Sequence, residues 1–279
     1  MPAPIRHAFI TGGSRGIGLA IAQHFAANNY RITLLARDVP RLKAALATLP
    51  SSHLLSHEPH RYVECADISN QYFWDGGSYF GRQMHFADST SKIDVLVNCA
   101  GIAQSSAFVR TSSDTLDEIV KTNLTGMMMA TRFLIRNKYI RGAGWGRTKW
   151  KKDIPEKDGN EVKNVEEFSP AIINVSSLLG LKGGQGAVAY AASKAGVLGF
   201  TRALSDELAV SGIRVNAIVP GYISTDMTVD LEKSKELRHR IPMGRFGTPD
   251  EVADAALFLA RNQYANNCVL NLDGGLSAS

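Results

Sequence analysis

Short apolar runs alternate along the chain with longer stretches in which apolar residues recur at helical spacing. This alternation is typical of β-α-β units, in which helices connect parallel strands and cover both faces of the sheet. The pattern therefore predicts an α/β fold with one doubly wound, seven-stranded parallel sheet. The predicted strands are residues 7–10, 31–36, 61–65, 93–98, 172–176, 214–219 and 268–272.

Between these runs, five stretches show helical spacing and two others break the alternation. The predicted helices are residues 16–28, 41–49, 114–138, 189–210 and 250–261. Residues 141–163 are polar, basic and glycine-containing, which favours an inserted surface loop, either a partner site or merely exposed. Residues 222–247 are charged, which predicts a lid over a substrate site at the carboxyl ends of the strands. We expect residues 1–279 to form a single domain.

Composition and charge exclude several classes of protein. With 279 residues, of which 44% are hydrophobic, the chain can bury a sizeable core and is neither disordered nor fibrous. It has no apolar run of about 18 residues, so we expect no membrane-spanning helix. The formal net charge of +5 suits an anionic cofactor or an acidic partner. The Trp and Lys cluster near Trp150 lacks a nucleic-acid-binding context, so no nucleic-acid partner is predicted.

Cysteine, histidine and the N-terminal segment bear on compartment and on metals. Three cysteines without a CxxC pair indicate a reducing environment rather than a disulfide framework. The seven histidines show no paired ligand spacing, so no metal site is predicted. The chain enters its first predicted strand almost at once, so we expect no cleavable targeting segment. We therefore expect a cytoplasmic protein, or a mitochondrial matrix protein in a eukaryote.

A glycine-rich turn follows the first predicted strand, with the sequence Thr11-Gly-Gly-Ser-Arg-Gly-Ile-Gly18. Gly12 permits a tight turn, Gly16 lets a pyrophosphate approach the main chain, and Gly18 lets helix and strand pack closely. The following helix offers unpaired N–H groups and the positive end of its dipole. The turn predicts a dinucleotide site, with an ordinary strand–helix turn as the alternative.

The end of the second predicted strand bears on which dinucleotide binds. An acidic residue there commonly binds the ribose 2′-hydroxyl, but this chain has Ala36 followed by Arg37. Arg37 and Arg15 can hold a 2′-phosphate between two guanidinium groups, which favours NADP over NAD. Alternatively, Arg37 is only a solvated residue. Asp38 can cap the next helix or bind ribose.

Tyr190 and Lys194 stand four residues apart, on one face of a predicted helix. A free tyrosine titrates near pH 10, too high for easy proton exchange at neutrality. A nearby ammonium, together with the positive charge of an oxidised nicotinamide, would stabilise the phenolate. Tyr190 could then donate a proton to a carbonyl oxygen, although a surface tyrosine above a solvated lysine gives the same spacing.

Six motifs occur in an order that resembles the short-chain dehydrogenase/reductase family, whose fold is of the Rossmann type. They are Thr11–Gly18, Asn98-Cys-Ala-Gly101, Asn123 in Lys-Thr-Asn-Leu-Thr-Gly, Ser177 in Asn-Val-Ser-Ser, Tyr190 with Lys194, and Pro220-Gly221 with Thr225. The resemblance covers the chain except for residues 141–163. The segments that begin at Leu181, Ile223 and Ile241 are most similar to 3-oxoacyl-[acyl-carrier-protein] reductases and their eukaryotic carbonyl-reductase-like relatives.

The resemblance implies roles for individual residues. Tyr190 is implied as the general acid, Lys194 as its electrostatic partner and nicotinamide-ribose ligand, Ser177 as a donor to the carbonyl oxygen, and Asn123 as the anchor of a proton-relay water. Ser176 is expected to pack at the strand end. The residues implied in binding the cofactor NADP(H) are Gly12, Ser14, Arg15, Gly16, Ile17, Gly18, Arg37, Asp67, Asn98, Gly101, Tyr190, Lys194, Pro220, Gly221, Ile223 and Thr225.

The chain departs from the family pattern at two short sites. Cys99 replaces the commoner second asparagine, a change we expect to be tolerated because the main chain makes the important contacts there. Asn266-Asn267 replaces the usual Thr-Gly before the last strand, which places packing and any subunit contact there in doubt.

The resemblance further implies NADPH-dependent reduction of a 3-oxoacyl thioester, linked to an acyl-carrier protein, in fatty acid synthesis. Two alternatives are a reductase of other carbonyls (a quinone, steroid or small ketone) and a non-catalytic NADP(H)-binding sensor or scaffold. The expected partners are the carrier protein or acyl thioester and further copies of the chain in a homotetramer. We expect an acidic carrier to dock on four basic residues beside the lid: Arg132, Arg136, Lys138 and Arg141. Alternatively, these side chains are only solvated or lie at a subunit contact.

Overall fold

All strands in the described part of the chain join one parallel sheet. The structure is a computed structural model that describes residues 5–50, 60–63, 67–75, 92–144 and 168–278. The sheet has the order β3-β2-β1-β4-β5-β6-β7, which confirms the predicted doubly wound, seven-stranded fold. The strands are β1 Arg6–Thr11, β2 Tyr30–Leu35, β3 Arg61–Val63, β4 Val95–Asn98, β5 Ala171–Val175, β6 Arg214–Pro220 and β7 Val269–Leu272.

Helices connect these strands. Those described are α1 Gly16–Ala27, α2 Val39–Ala47, α3 Gln71–Asp75, α4 Ser113–Val120, α5 Gly126–Arg136, α6 Leu179–Lys182, α7 Val188–Ala209, α8 Val229–Glu232, α9 Lys235–Arg240 and α10 Pro249–Arg261. A 3₁₀-helix spans Phe108–Arg110. In residues 5–278, apart from the gaps given above, no helix is long and apolar enough to span a membrane.

The five predicted helices are present, but one of them has an irregular interior. Residues 114–138 were predicted as a single helix, whereas the structure divides them into α4, a π-helical turn at Lys121–Thr125 and α5. The prediction of one regular helix is therefore wrong. A π-helical turn adds a single residue to one turn, so apolar periodicity scarcely registers it.

Some predictions fall outside the described residues or remain predictions. Residues 64–65 of the third predicted strand and residues 145–163 of the predicted surface loop lie outside the described part. Residues 222–247 contain α8 and α9. Their role as a lid, like the single domain over residues 1–279, stays a prediction.

The strand order reverses at β1. The chain places β2 and β3 on one side of β1 and then crosses to β4 on the other side. Thr11 at the end of β1 therefore lies beside both Leu35 of β2 and Asn98 of β4. In open parallel sheets, ligands bind outside the carboxyl ends of the strands at such a reversal.

Adjacent residues of β1 show how helices cover both faces of the sheet. Ile10 packs in a core cluster with Phe25 of α1 and Leu257 of α10. Its neighbour Phe9 packs in a second cluster with Leu134 of α5. Because successive strand residues point to opposite faces, the run of buried residues in β1 requires an apolar layer on each side.

The Asn266-Asn267 departure is accommodated before β7. Asn267 has a positive φ of 57°, a conformation that asparagine tolerates better than most residues. Asn266 Oδ1 accepts a hydrogen bond from Val215 N at 2.9 Å, and Asn267 N donates to Val215 O at 2.8 Å. Packing between this segment and β6 is therefore retained without the Thr-Gly pair.

Arg214 is a buried arginine at the start of β6, and its guanidinium group binds the end of α10. It donates to Leu259 O and Ala260 O, each at 2.7 Å, and to Ala265 O at 3.1 Å. A helix ends with carbonyl groups that lack partners within the helix. Arg214 supplies those partners from a neighbouring strand.

We predict that Arg214→Met lowers the free energy of unfolding by at least about 2 kcal/mol, because the substitution leaves several buried carbonyls without donors. Chemical denaturation measures the change. Arg202→Met, which replaces an exposed arginine on α7, is the control and should change the value by less than about 0.5 kcal/mol. Equal effects of the two substitutions would show that the Arg214 contacts do not stabilise the fold.

Candidate active site

A cavity of about 400 Å³ lies at the carboxyl ends of the central strands. The turn after β1, the segments that follow β2, β4, β5 and β6, and α7 line it. This location is the one expected where the strand order reverses. The predicted residues that line it are Gly12, Ser14, Arg15, Gly16, Ile17, Gly18, Arg37, Asp67, Gly101, Ser177, Tyr190, Lys194, Pro220, Gly221, Ile223 and Thr225.

The glycine-rich turn forms one wall of the cavity. Gly12 and Gly16 have positive φ angles of 70° and 54°, which favour glycine. A Cβ atom at Gly18 would lie 2.3 Å from Gly12 O, so the start of α1 packs against the turn too closely for a side chain. The first turn of α1 has neither a side-chain cap nor an acidic residue. Its N–H donors and its dipole therefore suit an anion.

Two arginines reach the cavity from different segments. Arg15 Nη1 lies 3.5 Å from Asp226 Oδ2, and Arg37 Nη1 lies 3.9 Å from Glu118 Oε1. All four side chains are about half exposed or more, so these ion pairs are weak and exchange readily for another anion. Both guanidinium groups can turn towards a ligand phosphate.

Asp38 follows Arg37, and both of its oxygens bind within the chain. Oδ1 accepts from Arg41 N at 3.0 Å, which caps α2, and Oδ2 lies 3.2 Å from Arg41 Nε. Of its two possible roles, the structure shows the helix cap. Arg41 also lines the cavity and was missed by the sequence analysis, in which it marked only a helix start.

Asn98 and Asn123 are the two predicted residues that do not line the cavity, and both are buried behind it. Asn98 Nδ2 donates to Thr131 Oγ1 at 3.0 Å and to Asn174 Oδ1 at 2.8 Å, which links β4 to α5 and β5. The Asn98 side chain, predicted to support the cofactor side of the site, therefore does so without contacting the cavity. Its side chain holds the wall rather than facing the cavity.

Asn123 lies in the π-helical turn between α4 and α5. Oδ1 accepts from Ile102 N at 2.8 Å, and Nδ2 donates to Ile102 O at 3.0 Å and to Ser193 Oγ at 3.1 Å. Both Nδ2 hydrogens are thus used, and the segment after β4 is fixed to α7. π-helical turns often occur at functional sites.

The turn after β4 is shaped by main-chain contacts at Cys99. Thr11 Oγ1 accepts from Cys99 N at 3.1 Å and from Ala100 N at 3.2 Å. The main chain thus makes these contacts, as expected where cysteine replaces asparagine. Burial raises the pKa of the Cys99 thiol to about 11, so the thiol is neutral.

Lys194 and Tyr190 lie on one face of α7, as their spacing predicts. Lys194 Nζ lies 5.8 Å from the centre of the Tyr190 ring and donates to Val175 O at 2.8 Å, at the end of β5. Burial lowers the pKa of Lys194 to about 8. The hydrogen bond to the Val175 carbonyl, rather than an ion pair with a carboxylate, thus offsets part of the desolvation of this buried ammonium.

In the chain by itself, the pKa of the Tyr190 phenol is raised rather than lowered. Burial raises its pKa above the ordinary value, and a hydrogen bond with Ser177 opposes that shift. The expected stabilisation of the phenolate combined Lys194 with an oxidised nicotinamide; in the chain by itself, desolvation dominates and the pKa is raised. Ser176 Oγ donates to Lys194 O at 2.7 Å and so packs the end of β5 against α7.

Thr122 was missed by the sequence analysis. Its hydroxyl is buried without a hydrogen-bond partner in the described part of the chain, and the residue lines the cavity. An unpartnered buried hydroxyl is costly, and because this oxygen has almost no accessible surface, it is another part of Thr122 that faces the cavity. Its place directly before Asn123 in the motif was the available signal.

The predicted basic docking site does not lie at this cavity. The segment after α5 reaches the opposite edge of the sheet, where Tyr139 O accepts from Ile93 N at 2.7 Å just before β4. A helix that follows a strand runs back antiparallel to it, so its C-terminal residues lie at the amino edge. Placing Arg136, Lys138 and Arg141 at the entrance was therefore wrong within one chain, whereas Arg132 lies midway along α5.

Comparisons with known proteins agree with this geometry. Residues 6–147 match the family model described as short chain dehydrogenase, and residues 160–277 match the model described as Enoyl-(Acyl carrier protein) reductase. The human 3-oxoacyl-[acyl-carrier-protein] reductase is 36% identical over 267 residues, 96% of each chain. Carbonyl reductase family member 4 of Danio rerio is 35% identical over 97% of this chain and 98% of that protein.

Solved structures show the same fold. A short-chain dehydrogenase/reductase of Brucella melitensis, described as glucose/ribitol dehydrogenase, has a TM-score of 0.76 at 26% identity and covers 97% of this chain and 96% of its own. A provisionally assigned 2-deoxy-d-gluconate 3-dehydrogenase of Agrobacterium tumefaciens, solved with bound NADP, has a TM-score of 0.73 at 29% identity over 98% and 97%. The family expected from the motifs is confirmed: the chain belongs to the short-chain dehydrogenase family, and it is an oxidoreductase.

Proposed function

We propose that this protein is an NADPH-dependent reductase of 3-oxoacyl thioesters linked to an acyl-carrier protein. One observation carries the proposal: a single cavity joins the glycine-rich cradle at one end to Ser177, Tyr190 and Lys194 at the other. Relatives named 3-oxoacyl-[acyl-carrier-protein] reductase, at about 35% identity over nearly the whole chain, support this substrate class. A homotetramer and the cellular compartment stay predictions.

The residues present fit a bound NADP(H). The cradle at Gly12, Gly16 and Gly18 leaves room for a pyrophosphate against the start of α1. Arg15 and Arg37 would hold the 2′-phosphate, while Asp38 is occupied by its cap. A related solved structure holds NADP. When bound, this cofactor supplies the hydride.

Tyr190 is the proposed proton donor to the carbonyl oxygen. Because burial raises the pKa of its phenol, the side chain is protonated at neutral pH, the form that reduction requires. Ser177, which is hydrogen-bonded to Tyr190, would hold the same carbonyl oxygen from the end of β5. The proton moves from the phenol to the oxygen as the carbonyl carbon accepts the hydride.

Lys194 and Asn123 would support this transfer. The Lys194 ammonium lies close to Gly101, where it can bind a nicotinamide ribose. Both Nδ2 hydrogens of Asn123 are committed to Ile102 and Ser193, so the proposed relay water would donate to one of the Asn123 oxygens.

The lid offers a docking site for an acidic carrier protein at the carboxyl edge of the sheet. Residues 223–228 line the cavity in part, and α9 follows with exposed Lys235, Arg238 and Arg240. Arg238 pairs with Glu232 at 3.7 Å, whereas no ion pair engages Lys235 or Arg240 within the described chain. Unlike the end of α5, these cations belong to the same segment as residues 223–228, which line the cavity of their own chain. We propose that the carrier docks on α9.

We predict that the protein binds NADPH at least tenfold more tightly than NADH, because loss of a charged hydrogen bond costs about 1.5–3 kcal/mol. Fluorescence titration gives both dissociation constants. Arg37→Ala should weaken NADPH binding at least about tenfold and leave NADH binding within about twofold. The control is Arg110→Ala, which removes an exposed arginine outside the cavity. Equal affinity of the wild type for NADH and NADPH contradicts the assignment.

We also predict a higher kcat/KM for acetoacetyl-carrier protein than for small ketones, with an advantage that shrinks as ionic strength rises. Lys235→Glu with Arg240→Glu should lower kcat/KM selectively for the carrier substrate. The matched control is Arg136→Glu with Lys138→Glu at the opposite edge, which should leave it unchanged. The docking site is wrong if only the control pair impairs the carrier substrate. Reduction of quinones or steroids, with no activity on 3-oxoacyl thioesters, contradicts the proposed substrate class.

A further inference from the structure

Gln104 lies in the segment after β4, and its side-chain oxygen contacts the helix that carries Tyr190. Oε1 accepts from Ala189 N at 2.8 Å and from Tyr190 N at 3.3 Å. These N–H groups belong to the first turn of α7, where they have no partner within the helix. Ala187, at the N-cap position of α7, provides no side-chain cap. Gln104 therefore caps α7 from a distant part of the chain.

The other end of the Gln104 amide is fixed by its own segment. Nε2 donates to Thr111 Oγ1 at 3.1 Å and to Ser106 O at 3.3 Å. Because the nitrogen is held there, the oxygen faces α7. The main chain continues the contact, since Ser106 N donates to Gly186 O at 3.2 Å, just before α7 begins.

The main-chain carbonyl of Tyr190 is also linked to the segment after β4, through hydrogen bonds of Ser193 and Asn123. Tyr190 O accepts from Ser193 Oγ at 2.7 Å, and Ser193 Oγ accepts from Asn123 Nδ2 at 3.1 Å. Asn123 in turn makes two hydrogen bonds with Ile102. Both main-chain polar groups of Tyr190 are thus tied to the segment between Ile102 and Gln104.

We propose that Gln104 is a positioning residue for Tyr190: by binding the Tyr190 N–H, it fixes where the phenol stands relative to the end of β4. The inference rests on the proposed function, in which Tyr190 donates the proton. A neutral amide suits this task. A carboxylate would bind the positive end of the helix dipole more strongly, but its charge would disfavour the phenolate.

The first test replaces the amide with an apolar side chain of similar length. Gln104→Met should lower kcat for acetoacetyl-coenzyme A by about 10- to 100-fold, the usual effect of a small misplacement of a reacting group. The dissociation constant for NADPH should stay unchanged. Amide hydrogen exchange should accelerate in the first turn of α7 alone.

The matched control removes a cap from another helix. Thr248 caps α10 through a capping box with Glu251, so Thr248→Ala should lower the melting temperature much as Gln104→Met does while kcat stays at the wild-type value. An equal loss of kcat in the two variants would assign the effect of Gln104 to general destabilisation and overturn the proposal.

A second variant keeps the capping oxygen and adds charge. The titratable groups beside Tyr190 are Lys194 on its own helix and Cys99 after β4, with the Ser177 hydroxyl at the end of β5. Against this background, Gln104→Glu should move the alkaline limb of the pH profile for reduction to higher pH, and it should lower the melting temperature, because the two hydrogen bonds donated by Nε2 are lost. An unmoved limb would show that the side chain at position 104 stands too far from the phenol to position it.

Wild-type kcat together with wild-type exchange in Gln104→Met overturns the proposal, as does an unmoved alkaline limb in Gln104→Glu. Failure of the wild-type protein to reduce any 3-oxoacyl thioester counts instead against the proposed function. The two failures are distinguishable because the exchange measurement requires no substrate.

Discussion

The parallel direction of the strands is the constraint on which the site depends. Each helix returns the chain to the amino edge, so the ends of β1, β4, β5 and β6 all meet at one edge of the sheet. The glycine-rich turn, the segment that contains Gln104, Ser177 and residues 222–247 leave from these ends. The same constraint carries the basic residues after α5 to the far edge. Position along a β-α-β unit thus decides which side chains can act together.

Burying charged groups in this site lowers the free energy of unfolding, and Lys194 shows the cost most clearly. Its pKa is about 8 in the folded protein and near 10.5 when solvated, so the unfolded chain binds more protons between these values. Stability therefore rises with pH across that window, and the full penalty, about 3 kcal/mol, applies below it. Such a trade of stability for a poised group is common in active sites.

The sequence predicted the sheet and the residues of the cavity well, because apolar periodicity and the spacings from Thr11 to Gly18 and from Tyr190 to Lys194 are local signals. It did not predict the inward turn of Asn98 and Asn123, since side-chain direction depends on distant partners. Gln104 gave no signal either, because its partner Tyr190 stands 86 residues away. The raised pKa of Tyr190 was not predicted either, because a spacing of four residues does not show that the phenol is buried.

The central claim is that Tyr190, held by its main chain at the carboxyl edge, delivers the proton. Stopped-flow reduction of acetoacetyl-carrier protein by the Tyr190→Phe variant, with NADPH affinity measured in parallel, tests it most directly. The account predicts a fall in the reduction rate of at least about 100-fold, the usual worth of a general acid, with NADPH affinity retained. A phenylalanine variant that reduces the substrate at nearly the wild-type rate contradicts it.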